Sequence, residues 1–239
     1  TKDRLGPLRM VAGGLVSASA MLRAMILASG LSLVSGAALV FLAAGHNPAL
    51  LLFFLALGAA CVAAAILYTV GKRPYGYYGL GDFMAGLFFG PVAVWGAAAL
   101  CGAPLTWAGA WFSFLPGMAA GFCSTMVLDV NNIRDIETDR RAGKRTVAVR
   151  LGLAGARRYH AALASLVVAC WAGFWLFCAP VFSPALIPVC PVLAAPLLRS
   201  AYLAVSRAHD PACLNARRKN TVIGSASLNT GTAVLIITA

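Results

Sequence analysis

The chain has 239 residues, 61% of them hydrophobic and 11% charged, with a formal net charge of +12 and a mean hydropathy of +0.84. A soluble domain of this size needs more polar surface than that to cover its core, which excludes an ordinary water-soluble globule. The apolar residues run continuously, without the period-two alternation of a membrane β-barrel, and about 20 of them in a helix cross the roughly 30 Å hydrocarbon core; the expected fold is all-α, a polytopic transmembrane helical bundle.

In chain order, the basic segment TKDRLGPLR (1–9) precedes a first predicted span near 17–44. The turn AGHNPA leads to a second span near 48–70, and YTVGKRPYGYYGLGD (68–82) joins that to a third near 80–101. CGAPLT precedes a fourth near 106–132, and a long polar stretch separates it from a fifth near 156–180. APVFSPA, a sixth span near 183–203, a basic loop at 204–218 and a seventh span near 219–239 complete the chain. Gly30, Gly36, Gly58, Gly90, Pro91, Pro116, Gly117 and Pro191 fall inside the spans, where packed neighbours can re-satisfy the backbone. Residues 1–239 read as a single transmembrane domain.

All nineteen Lys and Arg lie before the first span, in alternate loops, or at span ends on that same side. The turns AGHNPA, CGAPLT and APVFSPA hold none. Positive-inside bias then places residue 1 and the loops near 71–79, 133–155 and 204–218 in the cytoplasm, with residue 239 opposite. Topology and contact with anionic membrane lipids account for the charge, and no nucleic acid partner is needed. The seven cysteines show no C-x-x-C or metal-ligand spacing and read as small packing residues. His46, His160 and His209 are scattered, with no zinc site or nucleophile–base pair in view.

Only seven carboxylates occur, and Asp129, Asp135, Glu137 and Asp139 gather where the fourth span reaches the cytoplasm, in DVNNIRDIETDRRAGKRT (129–146). If the helix continues, Asn131, Asp135 and Asp139 follow at steps of four and share a face. Two carboxylates with an amide oxygen one turn away make an oxygen-only half-shell suited to Mg²⁺, whose octahedron substrate phosphate oxygens would complete. Arg134, Arg140, Lys144 and Arg145 surround it and can grip the same polyanion. Against this stands the plainer reading of acids paired with topology-setting arginines in a solvated loop. The second island, 68–82, adds Lys72, Arg73, four tyrosines and Asp82 on the same side, with glycines that let it fold over a ligand.

NNIRDIETDRRAGKRTVAVRLG (131–152) resembles the second aspartate-rich motif of the UbiA-type intramembrane prenyltransferases. It is most similar to the branch that acts on 1,4-dihydroxy-2-naphthoate in menaquinone synthesis. YTVGKRPYGYYGLGD resembles that branch's loop between its fourth and fifth helices, DRLGPLR the segment after its first aspartate-rich motif, and ARRYH (156–160) is similar too. The resemblance implies a bacterial cytoplasmic-membrane enzyme that binds polyprenyl diphosphate through Mg²⁺ and transfers the prenyl group to 1,4-dihydroxy-2-naphthoate as carboxylate is lost. It implies that Asp135 and Asp139 hold metal, with Asn131 or Asn132 beside them. Lys72, Arg73, Arg134 and Lys144 then neutralise the diphosphate, while Tyr75 and Tyr77, with Tyr78, face the allylic cation. Asp82 stands as a base, a partner of a ring hydroxyl, or simply a charge at a helix N-terminus.

The chain departs from the family pattern in one respect. The family has nine spans and a first motif of the form N-D-x-x-D; seven spans are predicted here and that motif is absent, so the chain is expected to lack an N-terminal pair of helices. Rival readings are a relative using 4-hydroxybenzoate or homogentisate, against which NNIRD and RPYGY argue, and an anion transporter, for which repeat symmetry is missing.

Overall fold

A computed structural model describes residues 10–11, 13–102, 107–178, 199 and 221–226. Helix α1 (Ala18–Ala44) begins where the Ser17 hydroxyl accepts from the Ala20 amide at 3.2 Å. Helix α2 (Pro48–Thr69) begins with Asn47 capping the Leu50 amide at 3.1 Å and Pro48 in the first turn, where its missing N–H costs nothing. AGHNPA is therefore a tight helix–helix turn built from a cap and a proline. Leu27, Leu31, Leu42, Leu52 and Phe53 on these helices are largely exposed, as residues facing lipid would be.

After a 3₁₀ turn at Tyr75–Tyr77 the third span is broken rather than uniform. It consists of α3 (Gly81–Leu87), a π turn at Phe88–Val92, and α4 (Ala93–Leu100). Pro91 has no N–H to donate and its ring displaces the preceding turn, and Gly90 takes up the kink with φ −111° and ψ −109°. The kink is also where this span crosses α5 (Trp107–Arg134). A Cβ on Gly90 would sit 2.6 Å from the Gly121 Cα, and one on Gly121 would collide with the Gly86 carbonyl. Gly86, Gly90, Gly117 and Gly121 are spaced by four, so the two backbones touch along a small-residue seam.

Helix α5 ends at Arg134, a short α6 (Ile136–Arg141) follows, and α7 (Val147–Cys178) returns along α5. The core lies between α5 and α7, where Ala119, Cys123 and Met126 pack on Leu163, Val167, Trp171 and Phe174. Five segments are long and apolar enough to cross a bilayer: Ala18–Ala44, Pro48–Thr69, Gly81–Leu100, Ser113–Arg134 and Val147–Phe177. The protein is a polytopic all-helical membrane protein, and among the described residues there is no strand.

Two expectations need correction. Helix begins at Val147, ahead of the span expected from near 156, because the Thr146 hydroxyl accepts from the Val149 amide at 3.3 Å, and it breaks at Gly152 before the long helix that follows. Gly152, at φ 67°, kinks it one turn later, and this mix of polar residues and a kink hid the helix from a hydropathy reading. The stretch 133–155 is thus mostly helical rather than loop. Of the cysteines, Cys123 is buried as expected, but Cys101 is exposed at the end of α4. The predicted spans near 183–203 and 219–239 fall outside the described residues, apart from Arg199 and a helical turn at 221–226.

Candidate active site

The aspartate-rich stretch sits at the junction of α5 and α6. Asp135 leaves the helical region (φ −95°, ψ 10°), so the helix is interrupted where continuity was expected. The backbone nonetheless keeps its pitch: the Asp135 amide donates to the Asn131 carbonyl at 3.0 Å and the Asp139 amide to the Asp135 carbonyl at 2.8 Å. Asn131, Asp135 and Asp139 therefore stay one turn apart.

Each carboxylate is held by a cation of the chain. Arg134 donates to Asp135 through two nitrogens, at 2.8 and 2.7 Å, and reaches the Asn131 side-chain oxygen at 3.3 Å. Lys144 donates to Asp139 at 2.8 Å. Arg134 and Asp139 are buried and their partners Asp135 and Lys144 half-buried, so these pairs are partly shielded from water, whereas the Glu137–Arg140 pair is exposed and contributes about 0–1 kcal/mol. Among the described residues no group of three or more His, Cys, Asp or Glu converges as a metal cage. Both Asp135 oxygens and Asp139 Oδ1 accept from these cations, so a hard ion such as Mg²⁺, which binds through one or two carboxylates and keeps waters, would have to share or displace them.

The two polar islands meet. The Arg145 amide donates to the Tyr77 carbonyl at 2.7 Å, the Arg150 guanidinium to the Tyr78 carbonyl at 2.7 Å, and the Lys144 ammonium stands 5.3 Å from the centre of the Tyr77 ring. Gly79, at φ 81°, permits the approach: a Cβ there would lie 2.8 Å from the Arg145 carbonyl oxygen. Tyr75 is tied back to α2, its hydroxyl donating to the Ala64 carbonyl at 2.7 Å and its ring set edge-on to Tyr68. Burial pushes its phenol above the ordinary value, in keeping with a donor role. Lys72 and Arg73 are exposed, and no ion pair among the described residues includes them. The structure thus gathers Asn131, Arg134, Asp135, Asp139, Lys144 and Tyr77, and leaves Lys72 and Arg73 exposed outside this set of contacts.

Asp82 joins from the other direction. It lies in the first turn of α3 and is buried, but its Oδ1 accepts from Asn132 at 3.1 Å across the helix interface, so it is more than a charge at a helix end. The Thr125 hydroxyl is placed between the Asp82 carbonyl at 3.1 Å and the Gly121 carbonyl at 3.0 Å. Tyr159 on α7 places its hydroxyl beside the same carboxylate. Next to it, His160 Nδ1 meets Asp129 Oδ2 at 3.0 Å, with both side chains fully buried. A cavity of about 340 Å³ opens beneath, lined by Asp82, Phe83, Leu87, Phe122, Thr125 and Tyr159 among others. Sequence reasoning missed Thr125, Tyr159, His160 and the role of Asp129. The available signal was that ionisable residues inside apolar spans are costly to retain without a partner.

The UbiA prenyltransferase family model matches residues 2–219, a span that takes in every side chain of this cluster. The chain belongs to the UbiA prenyltransferase family. It is 42% identical over 227 residues to the 1,4-dihydroxy-2-naphthoate octaprenyltransferase of Escherichia coli (strain K12), covering 95% of this chain and 71% of that protein. Proteins of the same description in Haemophilus influenzae and Mycobacterium tuberculosis are 41% and 40% identical, over 73% and 67% of this chain. The chain spans 55% and 51% of the length of those two. No solved structure matches it.

Proposed function

We propose that this protein transfers a polyprenyl group from polyprenyl diphosphate to 1,4-dihydroxy-2-naphthoate, releasing diphosphate and CO₂ and giving the demethylmenaquinone skeleton. The observation that carries the reading is the Asn132–Asp82 hydrogen bond, which ties the charged segment of Asn131, Arg134, Asp135, Asp139 and Lys144 to an apolar cavity with Asp82 on its wall. A diphosphate needs the first and an isoprenoid with an aromatic ring needs the second. Relatives named for this reaction supply the acceptor.

The allylic C–O bond breaks with its electron pair leaving on diphosphate. A ring carbon then forms the new C–C bond, and loss of the carboxyl group as CO₂ returns an electron pair to the ring. No covalent enzyme intermediate is required; the protein must stabilise the leaving charge and keep water from the cation. Mg²⁺ held by Asp135 and Asp139 would neutralise the diphosphate as charge builds on it. Arg134 and Lys144, which pair with those carboxylates, are placed to turn onto diphosphate oxygens, with Asn131 and Asn132 as neutral partners. Tyr77 presents its ring at this rim and Tyr75 braces the loop. Lys72 and Arg73, exposed at the loop, serve the approach of the anion.

Residues 1–239 act in this reading as a single transmembrane domain, in a bacterial cytoplasmic membrane with the charged rim facing the cytoplasm. The test is an acceptor panel. Detergent-solubilised full-length protein with Mg²⁺ and labelled polyprenyl diphosphate is offered 1,4-dihydroxy-2-naphthoate, 4-hydroxybenzoate and homogentisate. Product from the naphthoate alone supports the proposal; product only from a monocyclic acceptor, or from none, refutes it.

A further inference from the structure

The cavity beneath the charged rim is nearly all apolar, so its few polar groups decide what polar atoms a ligand can present there. Thr125 is already committed between two backbone carbonyls. Asp82 Oδ1 is taken by Asn132, while buried Oδ2 makes no hydrogen bond of ordinary length, the Tyr159 hydroxyl facing this carboxylate without closing on it. A buried carboxylate oxygen left in that state is expensive unless something donates to it. Tyr159 is the other polar group on the wall, half-buried and beside the same carboxylate. It is also well fixed, because its neighbour His160 is locked to Asp129 on α5 at 3.0 Å.

We infer that Asp82 and Tyr159 together bind a ring hydroxyl of the aromatic acceptor, and that this pair sets acceptor specificity. The inference rests on the prenyl-transfer reading and deepens it. A hydroxyl is the fitting ligand group because it donates to Asp82 Oδ2 and accepts from the Tyr159 hydroxyl at once. The acceptor's carboxylate cannot take that place, because it has no proton to donate to Oδ2. Gly86, Gly121 and Pro91 line the side of the cavity where the α3–α4 and α5 backbones come close. Its volume lies near the lower end of the roughly 300–1,000 Å³ of small-molecule sites, enough for a bicyclic ring but not for a long isoprenoid chain.

A site built to hydrogen-bond a hydroxyl penalises the analogue that lacks it, because its own buried groups are left unpaired. The experiment uses full-length protein in lipid nanodiscs, wild type against Tyr159→Phe and Asp82→Asn. It measures KM for acceptor and for polyprenyl diphosphate separately, and naphthoate binding alone by fluorescence. Acceptors are 1,4-dihydroxy-2-naphthoate and the analogues lacking one or the other hydroxyl. Tyr159→Phe is expected to raise the KM and Kd for the dihydroxy acceptor about tenfold, and Asp82→Asn about ten- to a hundredfold. KM for polyprenyl diphosphate should not move, and one monohydroxy analogue should bind wild type and Tyr159→Phe alike. An equal loss for every acceptor, or a matching rise in KM for the diphosphate, overturns the inference. If wild type binds the naphthoates but transfers nothing to them, the reaction assignment fails while the binding arm still judges the pair.

Discussion

Asp139→Asn separates metal binding from folding. Asp139 is buried, with Oδ1 accepting from Lys144 at 2.8 Å, and its backbone carbonyl accepts from the Lys144 amide at 2.9 Å. Asparagine keeps the shape and an oxygen that can face Lys144, and the backbone bond is untouched. An ion pair becomes a hydrogen bond from the Lys144 ammonium to a neutral amide oxygen, a difference of about 1 kcal/mol in stability. The loss in the reaction should be larger, because an amide is a poor ligand for a hard dication and the clamp on the leaving diphosphate supplies several kcal/mol. A hundredfold fall in kcat corresponds to about 2.7 kcal/mol. The assay pairs single-turnover prenyl transfer over a range of Mg²⁺ concentrations with thermal unfolding in the same detergent. Expected are a fall of at least about a hundredfold, a raised Mg²⁺ requirement and a nearly unchanged melting curve. Retention of more than about a tenth of the wild-type rate, a loss under 1.4 kcal/mol, would remove Asp139 from the metal site.

Three further outcomes are expected. In a background without native cysteines, an impermeant maleimide applied to intact cells should label His46→Cys and not Ala142→Cys; the reverse pattern would invert the topology. Gly121→Ala, whose Cβ meets the Gly86 carbonyl, should cost about 1–3 kcal/mol in a reversible unfolding assay, and no loss would mean the seam is looser than described. His160→Ala leaves the buried Asp129 carboxyl without its side-chain partner and should destabilise by about 1–3 kcal/mol, whereas an unchanged unfolding free energy would show the pair contributes little.

The charged half of the site was legible because its information is local. The period-four spacing of Asn131, Asp135 and Asp139 survives the break at Asp135, since the amide-to-carbonyl bonds across it keep the pitch. The two islands share the cytoplasmic side in the sequence reading, but their contact is not readable there, because it runs through backbone carbonyls of Tyr77 and Tyr78 that no side-chain pattern encodes. Lys72 and Arg73 were assigned to the diphosphate by charge and motif alone, and the fold sets them at the edge. The apolar half was not legible. Asp82 and Asn132 are 50 residues apart, and Tyr159 joins them only because α7 starts at Val147 and packs along α5. Burial of His160 against Asp129 is likewise a tertiary fact: each alone reads as an isolated polar residue in a greasy helix.

The central claim, that this chain joins a prenyl group to a dihydroxynaphthoate with loss of its carboxyl group, is tested most directly by counting both products together. Carboxyl-labelled 1,4-dihydroxy-2-naphthoate and differently labelled polyprenyl diphosphate are incubated with purified full-length protein, with Mg²⁺ or with excess chelator. The account predicts CO₂ and prenylated lipid in equal amounts, both abolished by chelation. Prenylated product that retains the carboxyl label, or transfer that persists without divalent cation, would contradict it.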